Sequence, residues 1–108
     1  MAQAKRTHRD TCTRIIGPDT EDETILFPGA AIYITRHHAG QVEDLHTHEE
    51  DHVLVMRSGR MRWTVGEETV EAVPGMVIVA PAGVRHSFQV LGPEEARLVC
   101  IESPNPEL

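Results

Sequence analysis

The chain lacks several features that would place it in a familiar class of protein. Its 108 residues contain no long uncharged apolar run, which excludes a transmembrane helix of roughly 20 residues. Two cysteines, Cys12 and Cys100, are too few for a disulfide framework. Lysine and arginine number 10 against 17 aspartates and glutamates, so the formal net charge is −7. We therefore expect no nucleic-acid partner and no membrane partner, because both need clustered basic side chains.

Several catalytic signatures are also missing. The sequence has no nucleophilic serine motif, no phosphate-binding glycine loop and no dinucleotide-binding fingerprint. Residues 1–6 carry no apolar stretch of the kind found in signal peptides, so we expect a cytoplasmic location.

Short strands separated by glycine and proline dominate the remaining pattern. No segment has the spacing of an amphipathic helix, and turn residues recur roughly every 8–12 positions, which is typical of a β-sandwich or barrel. The sequence predicts an all-β, all-antiparallel sandwich. Its predicted strands are 31–36, 52–56, 61–65, 69–73, 76–80, 86–90 and 97–101.

The predicted domain organisation is one barrel with two extensions. Residues 1–24 form an N-terminal arm with one strand at 13–16, residues 25–103 form the barrel, and residues 104–108 form a C-terminal tail. The segments 52–56 and 76–80 are nearly all apolar, which predicts cover on both faces. A barrel this small cannot supply that cover alone, so we expect a homodimer.

Four histidines point to a metal. His46, His48 and His52 lie within seven residues, and His86 follows a proline-glycine turn. Side chains two apart on a strand share a face, so His46 and His48 are predicted to point the same way. Imidazole is the commonest protein ligand for transition metals, so these four residues are predicted to bind one divalent ion.

The other histidines are expected to be ordinary surface or core residues. These are His8, His37 and His38, although His37 and His38 lie close to the predicted mouth of the barrel.

Two spaced motifs resemble those of the cupin family. Residues 40–59 read Gly-x5-His-x-His-x3-His-x6-Gly, and residues 75–86 read Gly-x5-Pro-x-Gly-x2-His. The resemblance covers about half the chain and implies a small single-domain cupin. Such a protein is a double-stranded β-helix, or jelly roll, with a metal inside, and it is usually a homodimer.

Two positions depart from the common cupin pattern. His52 stands where glutamate is usual, and Val90 stands where asparagine is usual. The first departure resembles the small bacterial four-histidine cupins of the manganese type, which also carry a cysteine on the last strand, here Cys100. Manganese or iron is therefore favoured, with zinc, nickel and copper possible. Four neutral ligands leave the charge of the ion uncompensated, which favours an anionic small-molecule substrate.

Three further residues are candidates for contact with the metal site or the substrate. Cys100 is either an oxidisable neighbour of the metal or a small buried apolar residue. Tyr33 and Arg36 lie on a strand preceding the histidines and could meet an anionic substrate, although a position at a strand edge or on the rim is the alternative.

Three functions remain open at this point. The first is a metal-dependent oxygenase acting on an enolisable or electron-rich organic substrate. The second is a non-redox isomerase, cyclase or lyase, against which counts the lack of a clearly placed carboxylate base. The third is a non-catalytic binder of a metal or small ligand.

Overall fold

The computed structural model describes residues 4–7 and 16–104, which form ten strands. The strands are β1 (Ala4–Thr7), β2 (Glu23–Leu26), β3 (Ala31–His37), β4 (Val42–His46), β5 (Asp51–Ser58), β6 (Met61–Val65), β7 (Glu68–Ala72), β8 (Val77–Ala80), β9 (His86–Val90) and β10 (Ala96–Ser103). Within these ranges no helix is long and apolar enough to cross a bilayer.

Two sheets form the sandwich. A six-stranded sheet has the order β1-β2-β3-β10-β5-β8, and a four-stranded sheet has the order β4-β9-β6-β7. The all-β jelly-roll architecture is therefore confirmed. Every other described pair is antiparallel, as expected for the barrel, and the one described parallel pair joins β1, in the predicted N-terminal arm, to β2. A parallel pair needs a connection of about a dozen residues or more, and residues 8–22 supply one.

Every strand predicted inside the barrel is present, with shifts of up to two residues at its ends. Three strands were not predicted, namely β1, β2 and β4. β4 reads Val-Glu-Asp-Leu-His and exposes four of its five residues, so it carries no apolar signal. Of the strand predicted at 13–16, residues 13–15 lie outside the described residues, as do residues 105–108 of the predicted tail.

The apolar core lies between the two sheets. Its fully buried members come from the inner faces of the central strands, where alternate residues point inward. They include Met56, Met61, Val90, Ala96 and Leu98, each at most 2% exposed. Trp63 and Phe88 pack against each other in the same cluster, with ring centroids 5.0 Å apart.

The outer face of the six-stranded sheet is apolar but only partly covered. Val77 and Val79 on β8 are each 55% exposed, while Ile78 between them is buried. Within one chain, residues 52–56 and 76–80 are therefore covered on the inner face and incompletely on the outer one, and cover of the outer face by a partner subunit stays a prediction. Strand alternation buries one face against the opposite sheet, and nothing in the described residues covers the outer face of β8.

Candidate metal centre

The four predicted histidines come from three strands and one connecting loop. His46 ends β4, His52 is the second residue of β5, and His86 opens β9. His48 lies in the connection between β4 and β5. The prediction that His46 and His48 share one strand is wrong, because β4 stops at His46 and is already irregular before it.

The four rings nevertheless come together. The centroid of the His46 ring is 4.6 Å from that of His48 and 4.3 Å from that of His86. The His52 ring stacks on His48 at 4.1 Å and is 5.5 Å from His86. One potential ligand nitrogen from each of His46, His48 and His86 lies within 4.8 Å of the others.

Hydrogen bonds from two main-chain amides connect the region around His48 with the turn before His86. The amide of Gly83, in the turn before β9, donates to the carbonyl of His48 at 2.9 Å. The amide of Ala82 donates to the Asp51 carboxylate at 2.8 Å. These bonds fix the loop that carries His48 against the turn that leads to His86.

The ring of His46 is oriented by its neighbours. Its Nδ1 lies 2.6 Å from the carbonyl oxygen of Asp44, which can only accept, so Nδ1 carries the proton. Its Nε2 then holds a lone pair and lies 2.9 Å from a carboxylate oxygen of Glu43. Two electron-rich atoms this close repel each other unless a proton or a cation lies between them.

His52 is the most deeply buried member of the cluster after His86, at 5% exposure against 3%. Its Nε2 lies 3.5 Å from a carboxylate oxygen of Glu102, which is longer than an ordinary hydrogen bond. That nitrogen is consequently buried without a hydrogen-bond partner. A buried polar atom left in this state costs stability unless another ligand uses it.

Burial keeps the two innermost rings neutral. It lowers the pKa of His52 from 6.5 to about 4, with further lowering by the imidazoles of His48, His86 and His46. Burial likewise lowers the pKa of His86. Neutral imidazole is the form that coordinates metals.

A cavity of about 220 Å³ opens beside the cluster. Its walls combine three of the four clustered histidines, all except His46, with apolar and acidic side chains from both sheets. The lining residues are Tyr33, Thr35, His37, Glu43, His48, His52, Leu54, Trp63, His86, Phe88, Leu98, Cys100 and Glu102.

Strand β10 contributes a thiol and a carboxylate to this cavity. Leu98, Cys100 and Glu102 line the wall together, as expected for alternate residues of one strand. Burial raises the pKa of the Cys100 thiol to about 12, and the nearby Glu102 carboxylate contributes to this rise. Without an ion, the thiol keeps its proton at neutral pH.

Other predicted residues divide between the cavity and the surface. Tyr33 lines the cavity, but Arg36 does not, because alternation along β3 turns it to the outer face. There it pairs with Glu21 at 3.3 Å and with Asp22. His37 lines the cavity, whereas the exposed His38 is not among its lining residues, and His8 and Cys12 lie outside the described residues.

Sequence reasoning missed the role of two acidic side chains. Glu43 contacts His46 and lines the cavity. Glu102 lies beside His52 and also lines the cavity. The signal for Glu102 was its spacing of two from Cys100, whereas Glu43 had none because β4 was not recognised as a strand.

The residues present fit a divalent transition metal. Three potential ligand nitrogens converge within 4.8 Å, and a fourth ring supplies a buried nitrogen without a hydrogen-bond partner. Imidazole suits manganese, iron, nickel, copper and zinc alike, so the ligand set does not choose among them.

Comparison with known families agrees with this architecture. The family model described as the cupin domain matches residues 33–102, which is most of the barrel. The chain belongs to the cupin family. The matching model describes cupin domains in general. The match therefore does not distinguish the four-histidine manganese type from other members of the family.

Individual relatives cover part of the chain. An uncharacterized protein of Streptomyces coelicolor is 38% identical over 66 residues, or 61% of this chain and 62% of that one. The structure of TT1209 from Thermus thermophilus has 30% identity and a TM-score of 0.65, covering 73% of this cupin and 76% of that chain. Oxalate decarboxylase from Bacillus subtilis has 26% identity and a TM-score of 0.65, but the match covers 71% of this cupin and only 21% of that chain.

Proposed function

We propose that this cupin is a metal-dependent enzyme that holds a small anionic organic substrate in the cavity beside the histidine cluster, and that its reaction is of the oxygenase type. The observation that carries the proposal is the convergence of four imidazoles from three strands and one loop, three of which line one cavity. His46, His48, His52 and His86 would hold the ion, and manganese or iron is the favoured metal.

The bound ion would act as a Lewis acid and, if redox-active, would carry electrons between substrate and dioxygen. The protein supplies the surroundings. Leu54, Trp63 and Phe88 exclude water from the inner wall, and Tyr33 and Thr35 offer polar groups on β3. At about 220 Å³, the cavity suits a small metabolite rather than a drug-sized ligand.

Metal content and oxygen uptake test this proposal together. Protein purified without added metal should carry close to one manganese or iron per chain, and it should consume oxygen with a 1,3-dicarbonyl or phenylpropenyl substrate. His48→Ala should lose the metal, while His38→Ala, at an exposed histidine away from the cavity lining, should retain it. Well-folded protein that binds no transition metal would contradict the proposal.

A non-redox reaction is the second candidate, and Glu102 favours it. Its carboxylate lies beside the cluster, where it could accept a proton from a substrate held in the cavity. The likeness to oxalate decarboxylase supports a small carboxylate as the substrate class. Zinc in the purified protein, turnover without oxygen uptake and loss of turnover in Glu102→Gln would favour this isomerase, cyclase or lyase. Full metal occupancy with no turnover of a broad metabolite panel would instead point to a non-catalytic binder.

We also propose a homodimer that buries the outer face of the six-stranded sheet. Two apolar rows cross this face, one through Val79, Val53, Ile101 and Ile32, and one through Val77, Val55 and Val99. Light scattering at micromolar concentration should give twice the 12.0 kDa chain mass. Val79→Lys should give the monomer, because it would bury a charge in the interface.

A cytoplasmic location stays a prediction from the sequence.

A further inference from the structure

We propose that His52, Cys100 and Glu102 form a second metal position, which takes a thiophilic divalent ion such as zinc or cadmium. This position uses a different donor set from the histidine cluster and shares only His52 with it. Because it adds a thiol and a carboxylate that the cluster does not use, the inference goes beyond the proposed function.

The sheet register places the three donors together. Glu102 on β10 lies directly opposite His52 on β5, and Cys100 lies two residues earlier on the same inward face. The Cys100 sulfur is 4.0 Å from Nδ1 of His52, and a Glu102 oxygen is 3.5 Å from Nε2 of the same ring. One ligand atom from each residue falls within 4.8 Å of the other two, so small rotations would bring all three to metal-ligand distances of roughly 2.0–2.3 Å.

The state of His52 points to a ligand at this position. Its side chain is buried, and its Nε2 has no hydrogen-bond partner. The nearest acidic group is an electron-rich carboxylate rather than a hydrogen-bond donor. A cation between the imidazole and the carboxylate would give Nε2 of His52 the partner it lacks.

The donor chemistry separates the two positions. A nitrogen, sulfur and oxygen set containing a thiolate selects zinc and similar soft ions, whereas manganese and iron accept an all-imidazole set. On binding, the sulfur–metal bond forms, the thiol proton passes to bulk water, and no electron is transferred.

His52 makes the two positions compete. A neutral imidazole has one lone pair available for coordination, so the ring serves one ion at a time. It also belongs to a donor group with His48 and Glu50, on the side of the cluster. A thiophilic ion therefore draws His52 toward β10 and leaves the other ion with three histidines.

Cobalt(II) is the probe, because a cobalt–thiolate bond gives a near-ultraviolet charge-transfer band that imidazole and carboxylate ligands do not give. Metal-free full-length protein should develop this band at one cobalt per chain or later in the titration. The band should be absent in both Cys100→Ser and Cys100→Ala and present in Cys12→Ser, the matched control. In protein that also carries His46→Ala and His86→Ala, adding Cys100→Ser should lower zinc affinity more than about tenfold, whereas Cys100→Ser alone should leave manganese affinity unchanged.

A double variant separates this position from the histidine cluster. His46→Ala with His86→Ala removes two cluster ligands and leaves all three proposed donors, so the cobalt–thiolate band should persist. Loss of the band in that folded variant would mean that Cys100 merely adds to the histidine-bound ion, and the second position would be wrong. A wild-type protein with no band, or a band that follows Cys12, would also overturn it. A band in a protein that never binds manganese or iron would uphold this position while the proposed function failed.

Discussion

The two ends of the sandwich differ although the same strands build both. At one end, the inner faces of β5, β9 and β10 carry His52, His86 and Glu102; we call this the histidine end. At the other, the same faces carry Met56, Val90 and Leu98, each at most 2% exposed; we call this the apolar end. Along each strand the inward residues change from polar to apolar within five positions.

This difference implies that the apolar end mainly determines folding stability and the histidine end mainly determines metal affinity. Burial of apolar side chains is the main favourable term in folding, while Nε2 of His52, buried without a hydrogen-bond partner, opposes it. The apolar end therefore compensates for the cost of this buried nitrogen at the histidine end. Changes at the apolar end should alter the free energy of unfolding, and changes at the histidine end should alter metal affinity.

The largest expected effect is at the apolar end. Met56→Ala removes a side chain that is 2% exposed within the core, so it should lower the free energy of unfolding by about 2–5 kcal/mol. Urea unfolding of metal-free protein measures this change. The metal affinity of the folded variant should stay within about twofold of wild type, and a large loss of affinity would show that the two ends are coupled.

Two glycines with almost the same backbone angle give a matched test of packing at the two ends. Gly59 has φ of 79° and Gly83 has φ of 78°, so alanine at either costs about 1–2 kcal/mol for the left-handed conformation. At Gly59 an added Cβ would lie 2.4 Å from the Glu95 carbonyl oxygen, whereas at Gly83 nothing lies within 4 Å. Gly59→Ala should therefore destabilise by a further ~1–3 kcal/mol. Equal unfolding midpoints for the two variants would contradict this packing difference.

At the histidine end, a substitution is expected to raise the free energy of unfolding rather than lower it. His52→Leu replaces a ring whose Nε2 is buried without a hydrogen bond, so metal-free protein should gain about 1–3 kcal/mol of unfolding free energy. The same variant should bind metal more weakly. Thermal unfolding with and without metal measures both effects, and a destabilised metal-free variant would mean that His52 is well satisfied without an ion.

The smallest effect is a pH dependence. The pKa of His52 is about 4 in the folded chain against 6.5 for an ordinary histidine, so between these values the unfolded chain binds a proton that the folded chain does not. The free energy of unfolding should therefore fall as pH falls from 6.5 toward 4, and this contribution should be fully present above 6.5. Metal-free His52→Leu should show a shallower slope over the same range; identical slopes would remove His52 as the cause.

The barrel was largely predictable because most of its strands are recognisable from their composition. The strands at 61–65 and 86–90 have the bounds predicted from alternation and turn residues. β2 and β4 were not predicted, because backbone pairing with neighbouring strands, rather than composition, makes them strands. β4 is acidic and exposed, and it is a strand because it pairs with β9.

The histidine cluster was predictable from spacing, but its surroundings were not. The spacing of His46, His48 and His52 brings their rings together even though the shared-strand argument for it was wrong. The proximity of Glu102 to His52 depends on the register between β5 and β10, and a register shift of one residue reverses which side chains face inward. The sequence alone cannot fix that register, so the carboxylate beside the cluster could not be foreseen.

The two hydrogen bonds that join Gly83 to His48 and Ala82 to Asp51 would limit the radius of any ion that the histidine cluster holds. Because the His48 loop and the turn before His86 are tied through the backbone, their imidazoles cannot separate or close freely around an ion. An ion much larger or smaller than the preferred one would have to lengthen these bonds. Discrimination among metals would then come from a rigid frame as much as from the chemistry of the nitrogen donors.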